Sequence, residues 1–184
     1  MKKKYYLLAA ALAFALSMPA TAEEITWSYD VSNQILRLEG EVSGEVTIPS
    51  EVDGYEVMAL GYNILSEKSG ITSVTLPDSV EALQSSSIAY IDTLESVQLS
   101  DQLVAIQSGN FSNCPSLTSV TIPASVKYIE SSFYWNDNLR EIRFEGVCPI
   151  FIGNEWNFSG LPDDCVIYVP DDQLDAYAKA LSGT

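Results

Sequence analysis

The sequence predicts an α/β solenoid, mostly β: a right-handed stack of coils of about 23 residues, closed by a β-hairpin at one end and a helix at the other. Three observations predict it. The segments SVTLP from Ser73, SVQLS from Ser96 and SVTIP from Ser119 recur at a spacing of 23 residues, and a fixed period of that size marks stacked repeats. Pro49, Pro77 and Pro123 close the short strands, where no further ladder donor is wanted. Apolar positions then keep their register through each whole repeat.

The first element is a leader, residues 1–22. Lys2, Lys3 and Lys4 precede an apolar run from Tyr5 to about Leu16, and Met18-Pro19-Ala20-Thr21-Ala22 ends it with small residues. A basic start, a short apolar stretch and an Ala-x-Ala end make a secretory signal peptide. The run is too short for a membrane span, which needs about 20 apolar residues. The chain is therefore expected to be exported: secreted, periplasmic or on the cell surface. The leader has no cysteine for lipid attachment.

Residues 23–44 form the next unit. Trp27-Ser28-Tyr29 and Ile35-Leu36-Arg37-Leu38, separated by the polar Ser32-Asn33-Gln34, read as a hairpin. Placed over the first coil, it would cover an open sheet edge.

Residues 45–170 hold the repeats. An early copy, EVTIP, starts at Glu45, and looser late copies are EIRFE from Glu141 and VIYVP from Val166. Val74 and Leu76 are followed by Val80, Leu83, Ile88 and Leu94; Val97 and Leu99 by Leu103, Ile106, Phe111 and Leu117; Val120 and Ile122 by Val126, Ile129, Phe133 and Leu139. The first copy is longer, with an inserted Gly54-Tyr55 turn. Side chains alternate along a strand, so Val74 and Leu76 face inward while Ser73 and Thr75 face out. No single coil can bury its apolar face alone, whereas stacked coils bury a continuous one.

Residues 171–184 form a helical cap. Asp171 and Asp172 suit a helix start, and Leu174, Tyr177, Ala178 and Leu181 follow at the spacing of one apolar stripe. Terminal coils need such covers because their outer faces have no neighbour.

SVTLPDSVEAL, and LTSVTIPASVKYI with FSNCPSL before it, resemble the BspA-type leucine-rich repeat of bacterial surface and secreted proteins. EGEVSGEVTIPSEVDGYEVMALG resembles the opening segment of that family and CVIYVPDDQLDAYAKAL its closing segment. The resemblance covers nearly all of the chain after the leader. It implies adhesion, or protein contacts at host and bacterial surfaces. Ser100 and Glu145 stand where the pattern has proline, and Leu65 and Ile88 where it has phenylalanine. These departures imply altered packing on the same fold.

Composition narrows the function. Without the leader, six basic and 25 acidic residues leave a net charge of −19. Binding nucleic acid requires a basic surface that neutralises phosphates, so nucleic acid and anionic membrane are not expected partners. There is no histidine, the commonest general base and metal ligand. No phosphate-binding glycine loop is present. A pair of carboxylates could still run a glycosidase, but the acids are scattered or form the doublets Asp163-Asp164 and Asp171-Asp172, which read as turn and helix-entry residues. No catalytic residue, metal site or cofactor is expected, and the chain reads as a non-enzyme.

Cys114, Cys148 and Cys165 are an odd count and no disulfide framework. Cys114 shares a column with Lys68, Ile91 and Asn136 and reads as a buried small hydrophobe. Cys148 follows its strand and Cys165 precedes its own, so joining them would need loop movement.

Two surfaces are candidates for binding. The first is the outward sheet face, with Thr75, Gln98, Thr121 and Arg143 in one row. The second lies on the loop side, where Tyr90 and Trp135 occupy equivalent positions two coils apart and Tyr134 is adjacent. A protein partner is the first expectation, and a glycan stacked on the three aromatics is the alternative. Both surfaces also have a structural explanation: Thr and Ser are good strand formers, and aromatic side chains fold over neighbouring coils to bury area.

Overall fold

The computed structural model describes residues 26–31, 35–153 and 156–182. The leader and the Ser32-Asn33-Gln34 turn lie outside the described residues. The chain enters through an antiparallel hairpin of β1 (Thr26–Asp30) and β2 (Ile35–Glu39), with Trp27 opposite Leu38 and Tyr29 opposite Leu36. The first coil holds β3 (Gly44–Thr47), a small ribbon of β4 (Glu51–Val52) and β5 (Tyr55–Glu56), and then β6 (Ala59–Leu60). Asp53 and Gly54 join that ribbon with φ of 56° and 81°, as a two-residue hairpin turn demands. Tyr55 stacks on Tyr29 at 5.4 Å, tying the hairpin to the coil.

Each later coil carries two strands: β7 (Ile71–Thr75) and β8 (Ala82–Leu83), β9 (Ser96–Gln98) and β10 (Ala105–Ile106), β11 (Ser119–Ile122) and β12 (Tyr128–Glu130), β13 (Glu141–Phe144) and β14 (Ile150–Ile152). A last half-coil has β15 (Val166–Tyr168), and a 3-10 turn at Asp171–Gln173 leads into α1 (Leu174–Leu181).

The solenoid therefore has two parallel-stranded walls where the repeat pattern predicts one. The front wall is built from the V-x-L strands, in the orders β3-β7-β9 and β11-β13-β15. It is split between β9 and β11, next to the copy in which Ser100 replaces proline. Val97 in that copy is only partly buried, while Val74 and Val120 are 1% and 3% exposed. The second wall runs β2-β6-β8-β10-β12-β14, with β1 outside β2. The hairpin covers this second wall through the pairing of Leu36 with Leu60. The core between the walls is the set of apolar columns expected from sequence, and Leu60, Leu83, Ile106 and Ile129 are all at most 1% exposed.

Among the described residues, the third side has no strands. Phe111, Phe133 and Phe158 stack there in a row, with centroids 5.4 and 5.7 Å apart. Main-chain hydrogen bonds still pass from coil to coil, donated by residues with positive φ. Asn63, Ser86, Gly109 and Ser131 donate to the carbonyls of Ser85, Ser108, Ser131 and Ile152; Glu67, Tyr90, Asn113 and Trp135 donate to Ala89, Ser112, Tyr134 and Ser159. Two sets of buried amides complete the side. Asn136 accepts from the Cys114 N–H at 2.7 Å and donates to the carbonyls of Phe111 and Phe133. Asn110 likewise accepts from the Ile88 N–H and donates to Gln84 and Gln107. Turns without a ladder leave polar backbone groups in the interior, and each must find a partner there.

The C-terminal helix docks differently from its apolar stripe. Leu174 is 61% exposed and Ala178 is also exposed. Tyr177 alone is fully buried; it packs on Phe144 at 5.0 Å and donates to the carbonyls of Gly146 and Val147. Leu181, one turn further on, is partly buried against the core, so the helix meets it through Tyr177 and Leu181, two of the four positions of the expected stripe.

Candidate functional site

The front wall presents one row of outward side chains. Thr47, Thr75 and Gln98 are direct neighbours on β3, β7 and β9, and Thr121, Arg143 and Tyr168 are direct neighbours on β11, β13 and β15. Thr75 is half-buried, and the other five are exposed. Inward alternation of Val74, Val120 and Ile142 fixes this row outward, because a one-residue slip would turn the valines to water. At one end the Arg143 guanidinium lies 4.3 Å from the centroid of the Tyr168 ring and donates to Glu141 at 2.7 Å. These contacts place a cation over an aromatic before any partner arrives, which lowers the ordering cost of binding.

On the loop side the structure brings the three aromatics together. Tyr134 meets the Trp135 ring edge-on at 5.1 Å, and its phenol lies near that of Tyr90. Burial raises the Tyr134 phenol above its ordinary range, the neighbouring Tyr90 phenol raises it further, and the Ser112 hydroxyl lowers it. Tyr134 crosses an intervening coil to do this and passes beside Gly109, where a Cβ would sit in ordinary contact, 3.6 Å from its hydroxyl. Trp135 lies over Gly160 and remains 51% exposed. The two tyrosines are half-buried over neighbouring coils, while the tryptophan faces water.

Sequence reasoning missed a groove of about 380 Å³ between the hairpin and the first coils, lined by Arg37, Tyr62, Asn63, Lys68 and Gln84. Lys68, in the column of Cys114 and Asn136, turns out of the core here and donates to the Gly40 carbonyl. Only the hairpin's position creates this groove, so no single motif signals it. Among the described residues, no three His, Cys, Asp or Glu side chains are grouped to hold a metal ion. Cys114 is fully buried, and its thiol is pushed up from 9.0 to about 11 by burial. The three cysteines are free.

The family model for the BspA type leucine-rich repeat region matches residues 45–156 in six copies. The chain belongs to this family. Among solved structures, a leucine-rich repeat protein from Bacteroides ovatus is 22% identical, with a TM-score of 0.62 over 83% of this chain. A leucine-rich cell surface protein from Faecalibacterium prausnitzii is 18% identical, with a TM-score of 0.56 over 84% of this chain. The chain spans 41% of the length of each of these two. A leucine-rich repeat protein from Bacteroides capillosus is 29% identical, with a TM-score of 0.57 over 69% of this chain and 98% of its own. No curated protein matches the chain. Among the described residues, no helix is long and apolar enough to cross a membrane.

Proposed function

We propose that this protein is an exported, non-catalytic scaffold that binds another protein through its front wall, in an adhesive or surface-contact role. The observation that carries the reading is the outward row ending in Arg143 and Tyr168. Within β3-β7-β9 and within β11-β13-β15 the backbone groups pair from strand to strand, so there the side chains meet the partner. Arg and Tyr are the residue types that dominate protein interfaces when held rigid. Membership of a repeat family, and the use of solenoid surfaces as extended binding platforms, support the same reading. Residues 1–22 serve as the export leader; mass spectrometry of protein recovered from its producing cells should find an N-terminus at Glu23.

The test uses the purified protein as bait in its native surroundings and then measures affinity for each captured protein. Arg143→Ala and Thr121→Arg should each weaken binding by about tenfold or more, the scale of an interface hot spot, while Trp135→Ala leaves it unchanged. Partners held equally by all of these variants would refute the front-wall assignment.

A second reading, glycan binding, is favoured by one observation: Trp135 is half exposed and braced edge-on by Tyr134. A braced, exposed indole suits stacking on a sugar ring. A glycan array should then give signals that disappear in Trp135→Ala and persist in Arg143→Ala. A blank array for the unmodified protein would sink it.

A further inference from the structure

We infer that the front wall is a two-panel device: the seam between β9 and β11 stands open in the free protein and can close into one continuous sheet. Every other pair of successive front strands is hydrogen-bonded, in the orders β3-β7-β9 and β11-β13-β15. The ladder reuses the same donors from coil to coil. Where the strands begin, Glu95 donates to the Thr72 carbonyl at 2.9 Å and Arg140 to Thr118 at 2.8 Å. Where they end, Ile48 donates to Thr75 at 3.0 Å and Leu76 to Gln98 at 2.9 Å. The matching bonds across the seam run from Thr118 to the Glu95 carbonyl and from Leu99 to the Thr121 carbonyl. Among the described residues neither is made. Main-chain groups alternate sides along a strand, and Gln98 accepts from the β7 side, so the Val97 N–H and carbonyl face the seam with no ladder partner.

The same two coils are joined on their other sides. Ala105 and Ile106 pair with Tyr128 and Ile129 on the second wall, and Phe111 stacks on Phe133 on the third side. Ties also bracket the seam, from Asn138 to the Pro115 carbonyl and from the Ser125 hydroxyl to the Leu103 carbonyl. The opening is therefore a slot fixed at both ends. A hollow of about 540 Å³, lined by Glu95, Ser116, Thr118, Asn138 and Arg140, lies at its head. Two residues oppose closure. Gln98 stands across from Thr121, whereas Thr75 meets Thr47 in the paired panel, and branched neighbours favour pairing. Ser100, in the column of Pro77 and Pro123, donates to the Asp78 carbonyl and accepts from the Gln102 N–H, which ties the end of β9 to the coil behind it. A missing proline alone does not open a seam, since Glu145 also replaces it and β13 is paired on both sides. Unpaired main-chain groups on a half-buried wall favour closure in turn. Closed, the row from Thr47 to Tyr168 runs unbroken for about 24 Å at about 4.8 Å per strand; open, it is two separate panels. A partner spanning Gln98 and Thr121 would close the slot, and that consequence rests on the front wall being the binding face, whereas the slot itself does not.

Amide hydrogen exchange followed by NMR on the purified, partner-free protein tests the slot separately from any binding. Leu99 and Thr118 are compared with Leu76 and Glu95, their counterparts one coil back, each rate being divided by its unfolded-chain value. The expected result is protection lower by about a hundredfold or more at Leu99 and Thr118. Gln98→Thr with Ser100→Pro then gives this copy the residues of its paired neighbours. It should raise protection at Leu99 and Thr118 by about tenfold or more and leave Leu76 and Glu95 unchanged. Circular dichroism checks the fold of the double variant, and Gln98→Thr alone gives the same comparison if the proline is not accommodated. Equal protection in all four amides of the unmodified protein overturns the proposal, because the wall is then continuous. Folded variants that leave Leu99 and Thr118 fast overturn it too, because the seam is then a fixed break that does not close.

Discussion

Replacing Asn136 by alanine probes what holds the unstranded side together. Its side chain is fully buried and makes three hydrogen bonds to main-chain groups of two coils, at 2.7, 2.6 and 2.9 Å. The substitution leaves the Cys114 N–H and the Phe111 and Phe133 carbonyls without these partners in a dry interior. A buried orphan group costs about 1–3 kcal/mol, with N–H groups at the upper end, so the total is about 3–5 kcal/mol. Against the stability of an ordinary domain, about 5–15 kcal/mol, that is a large share. Asn138→Ala is the control, because Asn138 is exposed and makes one bond, to the Pro115 carbonyl at 2.8 Å; it should cost about 0.5 kcal/mol or less. Urea melts followed by far-UV circular dichroism and tryptophan fluorescence measure both. Coincident transitions with unchanged slope are required, since repeat arrays can unfold in parts. A loss under about 1 kcal/mol for Asn136→Ala, or one equal to the control, would show that the buried amide is not what joins these coils.

Three further outcomes are expected. The Cys114 thiol has a folded value of about 11 against 9.0 unfolded. Below pH 9 both states hold the proton and stability is unaffected, whereas between pH 9 and 11 the unfolded state alone loses it. Stability should fall across that window by on the order of 2–3 kcal/mol, and Cys114→Ala should flatten the slope in melts run against pH. Gly109 has φ of 82° and a Cβ there would lie 2.5 Å from the Ser86 hydroxyl oxygen. Gly109→Ala should therefore cost about 1–2 kcal/mol, and Ser86→Ala should recover part of it; strictly additive losses would refute the steric account. At the C-terminal cap, Tyr177→Ala should cost about 3–5 kcal/mol, as buried aromatics do, and Tyr177→Phe about 1 kcal/mol for its hydrogen bonds. Leu174→Ala should change little. Protection of α1 from proteolysis gives a second reading of the same ranking.

The sequence shows the front wall, because Val74, Val97 and Val120 recur in register and alternate with outward Ser and Thr. It shows both caps through the hairpin pattern and the acidic helix start. It hides the second wall, since Ala82–Leu83 and Ala105–Ile106 are two residues long, too short for alternation to be read. The positive-φ columns are equally hidden: Glu67, Tyr90, Asn113 and Trp135 share one backbone role and no chemical type. Repeat spacing placed Tyr90 and Trp135 two coils apart. The approach of Tyr134 to Tyr90 crosses the coil between them, beside Gly109 and Ser112, and it appears only once the coils are stacked. The helix stripe misled for the opposite reason, as periodicity reports which face could be buried and not how much of it meets a surface.

The left-handed columns carry a consequence for how this molecule can vary. Glu67, Tyr90, Asn113 and Trp135 each serve the neighbouring coil with a main-chain N–H, so the backbone asks nothing of their side chains, whereas Phe111 and Phe133, also left-handed, are tied into the core stack. Among the described residues, the non-glycine positions with positive φ include Asp, Asn, Glu, Ser, Tyr, Phe and Trp but no Val, Ile or Thr, which the left-handed region excludes by sterics. Ile88 keeps its φ out of that region while its counterparts Phe111 and Phe133 enter it. The loop side is thus a display frame with one rule, no β-branched residue, under which surface chemistry at positions 67, 90, 113 and 135 can be rewritten without renegotiating the coil.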